Sequence, residues 1–185
     1  KKFFTKDKNG IVDFDIKMFL HTIDTLIFTM DSLIDHSSYP SEAIAKNSKD
    51  YRPLGLGYSN LGALLMYLGL PYDSMEGRYL AGLITGLMTG RAYYISSLMA
   101  EAYKPFKEYA NNKDSMSNVL RNHKTYFKAY YNRMEGNNNF KYLDLLQTIY
   151  MSGTLIWEDV CNSIDNRGFR NSQVTLLAPT GTIGF

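Results

Sequence analysis

A short apolar run that leads into a loop of small residues most restricts what this chain can fold into. Residues 174–177 are apolar or β-branched, and Pro179, which has no N–H to donate to a strand ladder, follows soon after. A run this short fits a strand that is covered on both faces, as in parallel sheets flanked by helices. The pattern therefore predicts an α/β fold with this strand in its interior.

The loop after this strand has the composition of an anion-binding turn. Glycine allows a tight turn and a close approach of a ligand to the backbone. Backbone N–H groups and two threonine hydroxyls could together hold a phosphate without a charged side chain. An ordinary strand-to-helix turn would explain the same composition. The candidate phosphate-binding residues are Pro179, Thr180, Gly181, Thr182 and Ile183.

Composition and charge narrow the class of protein. With 185 residues, of which 45% are hydrophobic, the chain is long enough for one domain with a substantial core. The formal net charge is +2 and the charges do not cluster, which argues against a nucleic-acid surface. The most apolar segment, residues 79–90, spans about 12 residues between two arginines, whereas a membrane span needs about 20. We therefore expect neither nucleic acid nor membrane as a partner.

The side chains that most often perform catalysis or bind metals form no recognisable site. Cys161 is the single cysteine, so neither an internal disulfide nor a cysteine metal cluster can form, and a reducing, cytoplasmic setting fits. The three histidines, at positions 21, 36 and 123, share no metal-binding spacing. Cys161 is predicted in mid-helix without a cationic neighbour, so we interpret it as a packing residue. We predict no catalytic residue and no metal ligand within this chain.

Hydrophobic periodicity and capping residues predict a helix-rich chain. In order, the predicted elements are a helix capped by Asp13 or Asp15 that ends near residue 33, a short turn at 41–44, an extended segment at 51–58, helices at 59–67 and 75–103, a loop at 105–113, a helix at 115–124, an irregular segment at 126–139, helices at 142–150 and 153–166, and a left-handed stop at Gly168. This alternation favours an α/β barrel over a closed helical bundle.

The predicted helix at 75–103 contains three glycines at four-residue spacing, Gly82, Gly86 and Gly90. A glycine inside a helix costs about 1 kcal/mol relative to alanine. Three on one face therefore indicate a groove in which another backbone packs closely.

Three segments together resemble the ribonucleotide reductases, specifically the adenosylcobalamin-dependent (class II) large chains. The first is RPLGLGYSNLGALLM at residues 52–66, preceded by Tyr39 and Pro40. The second is GLPYDS at 69–74, and the third is RGFRNSQVT at 167–175, which leads into APTGTIG at 178–184. Similarity extends more loosely over nearly the whole chain, and the order and spacing of the segments argue against a chance match.

The resemblance implies a ten-stranded α/β barrel made of two five-stranded halves, with a central finger loop that carries a thiyl-radical cysteine. Such enzymes replace the ribose 2′-hydroxyl of a ribonucleotide with hydrogen. Class II enzymes generate the radical from adenosylcobalamin, and an external dithiol such as thioredoxin supplies the electrons. The family's loop that matches residues 179–183 binds the substrate phosphates through backbone N–H groups.

The family's radical machinery lies outside this sequence in the matching register. The asparagine–cysteine–glutamate finger motif would precede Lys1, the reducing cysteines also fall outside, and Cys161 matches no functional cysteine. We therefore expect residues 1–185 to be a single partial domain of the catalytic barrel, truncated at both ends and inactive by itself. Its partner is the remainder of the reductase chain. Arg52 and Asn171 are expected to shape the barrel rather than touch the substrate.

Two other interpretations remain open at this point. The class I large subunit shares the same skeleton, although its phosphate loop is usually richer in serine, and it needs a separate radical-generating subunit in place of cobalamin. A non-enzymatic helical interaction module would use the glycine face of the long helix, but it leaves the RPLGLG and PTGTIG segments unexplained.

Overall fold

The computed structural model describes residues 2–134, 139–179 and 181 of the chain. Within these residues the regular structure consists of a two-stranded antiparallel hairpin and six helices. The elements are β1 (Phe4–Lys6), β2 (Val12–Phe14), α1 (Ile16–His36), α2 (Glu42–Tyr51), α3 (Leu61–Leu68), α4 (Met75–Tyr103), α5 (Tyr109–Met134) and α6 (Leu143–Asn166).

The hairpin and the start of α1 form one aromatic corner of the core. Phe4 pairs with Phe14 across the hairpin, and their rings stack with centroids 4.4 Å apart. Asp15 then caps α1, since its Oδ1 accepts a hydrogen bond from the Met18 N–H at 2.9 Å. The predicted first helix is confirmed with Asp15 as the cap. The hairpin was not predicted, because strands of three residues are too short to show an alternating pattern.

Helix α4 is the centre of the fold and has the predicted bounds. Ser74 caps it by accepting from the Gly77 N–H at 3.1 Å, and it packs against α1, α5 and α6. The predicted groove along its glycines exists, but aromatic side chains fill it where a backbone was expected. These contacts join Gly82 with Tyr130, Gly86 with Phe127, and Gly90 with Trp157.

Helices α5 and α6 correct the sequence prediction. The predicted loop at 105–113, helix at 115–124 and irregular segment at 126–139 are replaced in large part by the single helix α5. Likewise α6 is one continuous helix where two were predicted. Its start is held by Glu76 of α4, whose carboxylate accepts hydrogen bonds from the backbone N–H groups of Lys141 and Tyr142. Packing between α4, α5 and α6 thus outweighs the weak helix propensity of the polar, asparagine-rich segment.

The two segments that the sequence predicted as strands lie outside the hairpin. They pair with each other, but at one position only. Leu56 and Thr175 form a single parallel bridge, whereas strands over 51–58 and 174–177 were expected. The predicted turn after Ser41 is also longer than expected, because the ten-residue helix α2 forms there. The described residues therefore form a helix-rich α/β segment with one parallel contact; the expected ten-stranded barrel is not seen within them.

Over residues 2–134, 139–179 and 181, no helix combines the length and the apolar content that a membrane crossing requires.

Candidate functional site

The backbone that leads to the candidate phosphate loop is fixed by hydrogen bonds from three directions. The Phe106 N–H donates to the Phe169 carbonyl at 3.0 Å, and the Arg170 N–H donates to the Ser96 carbonyl at 3.0 Å. The Ser172 N–H donates to the carbonyl of Tyr51 at 3.0 Å. Gly168 has a φ of +68°, and this left-handed conformation ends α6 as predicted. It turns the backbone so that the next residues make these three hydrogen bonds.

Asn171 makes four hydrogen bonds in this segment and is fully buried. Its backbone N–H donates to the Ser96 hydroxyl at 3.0 Å, and the same hydroxyl donates to its Oδ1 at 2.9 Å. Its Nδ2 donates to Asp31 Oδ1 at 2.8 Å and to the Arg52 carbonyl at 3.1 Å. One amide side chain therefore joins α1, α4 and the segments that flank both parallel strands.

A buried ion pair lies beside Asn171. Arg52 Nε donates to Asp31 Oδ1 at 2.8 Å, and its two terminal nitrogens donate to Asp35 at 2.8 and 2.9 Å. Only 4% of Arg52 and 5% of Asp31 is exposed. Burial alone would lower the pKa of Arg52, but the hydrogen bonds and charges of Asp35 and Asp31 together raise it above its ordinary value. The hydrogen bond from Arg52 holds the pKa of Asp35 below its usual range.

These contacts support the expectation that Arg52 and Asn171 shape the fold. Arg52 sits at the C-cap of α2 in the left-handed region, with a φ of 50°, and its side chain is fully engaged within the protein. Asp31 was not predicted to belong to this cluster. Its sequence signal is a carboxylate within the apolar stripe of α1, since Ile27 and Ile34 on either side of it are buried.

The parallel bridge positions the end of the second strand. Leu56 donates its N–H to the Val174 carbonyl at 3.0 Å and accepts from the Leu176 N–H at 2.9 Å. A Cβ at Gly57 would lie 2.3 Å from the Leu176 carbonyl oxygen. Gly57 is therefore required by a close approach of two backbones, which explains the second glycine of the RPLGLG segment.

The predicted phosphate-binding residues begin three positions after Leu176, whose N–H makes the last backbone hydrogen bond of this parallel contact. Pro179 is exposed, and Gly181 is exposed with open space around the position of a Cβ. Thr180, Thr182 and Ile183 lie outside the described residues, so the predicted cradle stays a prediction.

An open cavity of about 670 Å³ lies beside the same strand, between α4 and α5, and is called the α4–α5 cavity below. Its walls are mostly aromatic side chains and the hydroxyl-bearing face of α4. The lining residues are Tyr58, Leu61, Arg78, Ala81, Gly82, Thr85, Gly86, Thr89, His123, Tyr126, Phe127, Tyr130, Trp157, Thr175 and Leu177. The sequence signal was the helical spacing of Tyr126, Phe127 and Tyr130, in a segment that was predicted to be irregular.

The burial of Cys161 fits a packing residue. The expected lack of cationic neighbours was wrong, because the charges of nearby Lys124, Arg121 and Lys128 oppose the effect of burial on the pKa of its thiol. Cys161 is 7% exposed in the middle of α6, and burial raises the pKa of its thiol, which disfavours the reactive thiolate. Among the residues that the structure describes, no group of three or more histidine, cysteine, aspartate or glutamate side chains could hold a metal ion.

Comparison with known proteins agrees with the motifs. The family model "Ribonucleotide reductase, barrel domain" matches residues 2–185. A vitamin B12-dependent ribonucleotide reductase of Streptomyces clavuligerus is 39% identical over 184 residues, which is 99% of this chain and 18% of that protein. A relative of the same name from Agrobacterium fabrum is 37% identical over 178 residues, or 92% of this chain and 14% of that protein.

A more distant relative has a related name. The vitamin B12-dependent ribonucleoside-diphosphate reductase of Mycobacterium tuberculosis is 32% identical over 93 residues, half of this chain. The chain thus spans less than a fifth of the length of these three curated relatives. The resemblance inferred from the residues is confirmed, and the chain belongs to the ribonucleotide reductase barrel-domain family.

Proposed function

We propose that this chain is the part of a cobalamin-dependent ribonucleotide reductase that brings the substrate phosphates into the catalytic barrel. Residues 179–183 form the cradle, and their backbone N–H groups donate to phosphate oxygens. The remainder of the reductase chain supplies the radical cysteine and the reducing cysteines. The substrate is a ribonucleotide, the electrons come from an external dithiol such as thioredoxin, and the reaction takes place in the cytoplasm.

The observation that carries this proposal is the parallel pairing of Leu56 with Thr175. Ligands of α/β proteins bind beyond the carboxyl ends of parallel strands, where strand ends converge. Residues 179–183 begin three positions after Leu176, whose N–H makes the last backbone hydrogen bond of this parallel contact. The buried contacts of Asn171 and Arg52 fix the strand only a few residues upstream, so the loop starts from a rigid support.

No residue in the described part of the chain can be identified as a cobalamin ligand. His21 and His36 lie exposed on α1, and the His36 ring bonds to the Ser32 carbonyl. His123 meets the edge of Trp157 with ring centroids 6.0 Å apart. The proposal therefore assigns cobalamin to other parts of the reductase chain and gives residues 1–185 the task of holding the substrate.

The two rival interpretations are less well supported. The relatives named above are vitamin B12-dependent, which favours cobalamin over a separate radical-generating subunit. An interaction module would need the glycine face of α4 to be free for a partner. Phe127, Tyr130 and Trp157 of this same chain already occupy that face.

A charge placed in the cradle tests the proposal. In the full-length reductase, Gly181→Asp should weaken nucleotide binding far more than Gly181→Ala. The structure has room for a Cβ at Gly181, so alanine adds little strain, whereas aspartate adds a negative charge beside an anion. Unit charges 4 Å apart repel by about 4 kcal/mol at an effective dielectric constant near 20. Calorimetry would measure the dissociation constants of nucleotide and nucleoside for both variants.

The ligand without phosphate is the internal control. Nucleoside binding should hardly change in either variant, and the loss for nucleotides should be equal for all four bases, because phosphate contacts do not read the base. Equal weakening by alanine and aspartate would contradict an electrostatic cradle. A loss of affinity that differs between the four bases would indicate that the loop contacts the base rather than the phosphates.

Cys161 gives a second, negative test. Cys161→Ser in the full-length reductase should leave turnover within about a factor of two, because a buried thiol with a raised pKa is a poor nucleophile. The serine hydroxyl can bond to the carbonyl one turn earlier in the helix. Steady-state kinetics and a melting curve check this together. A large loss of turnover with an unchanged melting temperature would show that Cys161 is the reactive thiol.

A further inference from the structure

The strand segment that leads to the candidate phosphate loop is weakly specified by its own backbone pairing. The Leu54 N–H donates to the Gln173 carbonyl at 2.8 Å. Two residues later, the Leu56 N–H donates at 3.0 Å to the Val174 carbonyl, which is only one residue further along the partner. A regular parallel ladder advances equally on both strands, so this one contains an irregular step. Among residues 173–177, all of which the structure describes, only Val174 is buried, so an apolar pattern adds little to the register.

Two hydroxyl groups of α4 hold this segment in place. Ser96 Oγ accepts from the Asn171 N–H at 3.0 Å and donates to Asn171 Oδ1 at 2.9 Å. Both residues are 0% exposed. Two helical turns closer to the start of α4, Thr89 Oγ1 lies 3.3 Å from Thr175 Oγ1. The segment therefore runs antiparallel to α4 and is attached to it at two points, four residues apart.

The Asn171 side chain has one orientation that its neighbours allow. Its Nδ2 donates to Asp31 Oδ1 and to the Arg52 carbonyl, and both of these groups are acceptors. A flipped amide would place Oδ1 against them, so Oδ1 must face the Ser96 hydroxyl. That hydroxyl has a single proton, which it donates to Asn171 while it accepts from the Asn171 backbone. Alanine at position 96 could make neither hydrogen bond.

A slip of this segment along α4 would displace the candidate phosphate loop. The smallest slip that keeps the same side chains facing the helix is two residues, or about 6.6 Å along a strand. It would carry Asn171 out of reach of Ser96, because hydrogen bonds are lost beyond about 3.5 Å. Residues 179–183 begin four positions after Thr175, so their N–H groups would move equally far from the substrate phosphates.

We propose that Ser96 is a positioning residue for the substrate phosphates. Through Asn171, its hydroxyl fixes the register of the second strand on α4, and Thr89 supports that register through Thr175. Ser96 acts through the strand and not by contact with the substrate. This inference rests on the proposed function, because the register affects the substrate only if residues 179–183 hold its phosphates.

Ser96→Ala and Ser97→Ala in the full-length reductase form a matched pair. Both serines are 0% exposed on α4, but the Ser97 hydroxyl donates to the Tyr94 carbonyl of its own helix at 2.7 Å. Hydrogen–deuterium exchange with mass spectrometry would measure the protection of residues 171–177. Ser96→Ala leaves the buried Asn171 N–H without its acceptor, so exchange in this segment should become about tenfold faster. Ser97→Ala should leave it unchanged.

Binding affinities distinguish positioning from a general loss of stability. By calorimetry, Ser96→Ala should weaken nucleotide binding about five- to tenfold and nucleoside binding less than about twofold, as expected when only the phosphate contacts lose their alignment. A merely structural role would weaken both ligands alike. Thr89→Val keeps the shape of the side chain but removes the contact with Thr175. It should act in the same direction and serves if Ser96→Ala does not fold.

Three results would overturn the proposal. Unchanged exchange at residues 171–177 in Ser96→Ala would do so whether or not residues 179–183 bind phosphate. Faster exchange with unchanged nucleotide affinity, or equal losses for nucleotide and nucleoside, would remove the positioning role. Gly181→Asp separates the two proposals. If it weakens nucleotide binding and Ser96→Ala does not, the assignment of Ser96 alone is wrong, whereas if neither variant weakens it, the phosphate cradle is wrong and both proposals fail.

Discussion

Replacing Gly86 with leucine is expected to destabilise the reductase by about 3 kcal/mol or more, at the upper end of the cost of overpacking a core. A Cβ at this position would lie 2.3 Å from Cδ2 of Phe127. Phe127 cannot move away, because a Cβ built at Gly153 of α6 would lie 2.3 Å from the opposite end of the same ring. The ring is clamped between α4 and α6, so the helices themselves would have to separate.

Gly62 provides the matched control for that substitution. It also lies in a helix, α3, but a Cβ there would meet no atom within 4 Å. Gly62→Leu should therefore leave stability unchanged or raise it by up to about 1 kcal/mol, because leucine favours the helix more than glycine does. Urea unfolding followed by circular dichroism would compare both variants with the wild type. An unfolding midpoint for Gly86→Leu equal to that of the wild type would show that the tight contact with Phe127 does not exist.

Arg52→Met is expected to be the second severe substitution, with a loss of about 3–5 kcal/mol, the usual cost of removing one partner of a buried ion pair. Methionine fills a similar volume but leaves the carboxylate of Asp31, 5% exposed, with only the longer 3.4 Å contact to Arg170 Nε as an ion pair. The effect should reach the candidate phosphate loop, because Asn171 bonds to both Asp31 and the Arg52 carbonyl. Urea unfolding would measure the first effect, and nucleotide affinity of the folded protein the second.

Asp35, the other carboxylate that Arg52 contacts, shows whether the loss of stability comes from the burial of Asp31 or from charge pairing in general. The Asp35 side chain is 48% exposed, so Asp35→Asn should cost no more than about 1 kcal/mol, as for other solvent-exposed ion pairs. Similar losses for Asp35→Asn and Arg52→Met would mean that burial of Asp31 is not the source of the stability. Arg52→Lys should fall between the two, because an ammonium group cannot reproduce the planar fork of hydrogen bonds.

Local sequence signals predicted the elements whose stability is local. The caps Asp15 and Ser74, the long helix α4 and the left-handed Gly168 are all in place. Each depends on a side chain that bonds to its own helix end or on a backbone conformation that glycine adopts easily. The RPLGLG and PTGTIG segments also identified the family correctly, because their order along the chain is a property of the sequence.

The errors occurred where packing between distant segments decided the structure. Residues 109–134 are polar and contain several asparagines, so their own propensity favours breaks. They form one helix because Met116, Leu120 and Phe127 bury a face against the rest of the core. The glycines of α4 were correctly interpreted as a tight contact, but nothing along the chain indicated that aromatic side chains of α5 and α6 would fill it.

The sequence by itself determined the helix-rich character, the capping points, the structural role of Cys161 and the family of this protein. Only the tertiary structure decided the parallel pairing of Leu56 with Thr175, the burial of Asp31 beside Arg52 and Asn171, and the cavity that Thr175 helps to line. The physical reason is distance along the chain. Asn171 meets Asp31 across 140 positions and Ser96 across 75, and contacts between residues so far apart form only when the whole core packs.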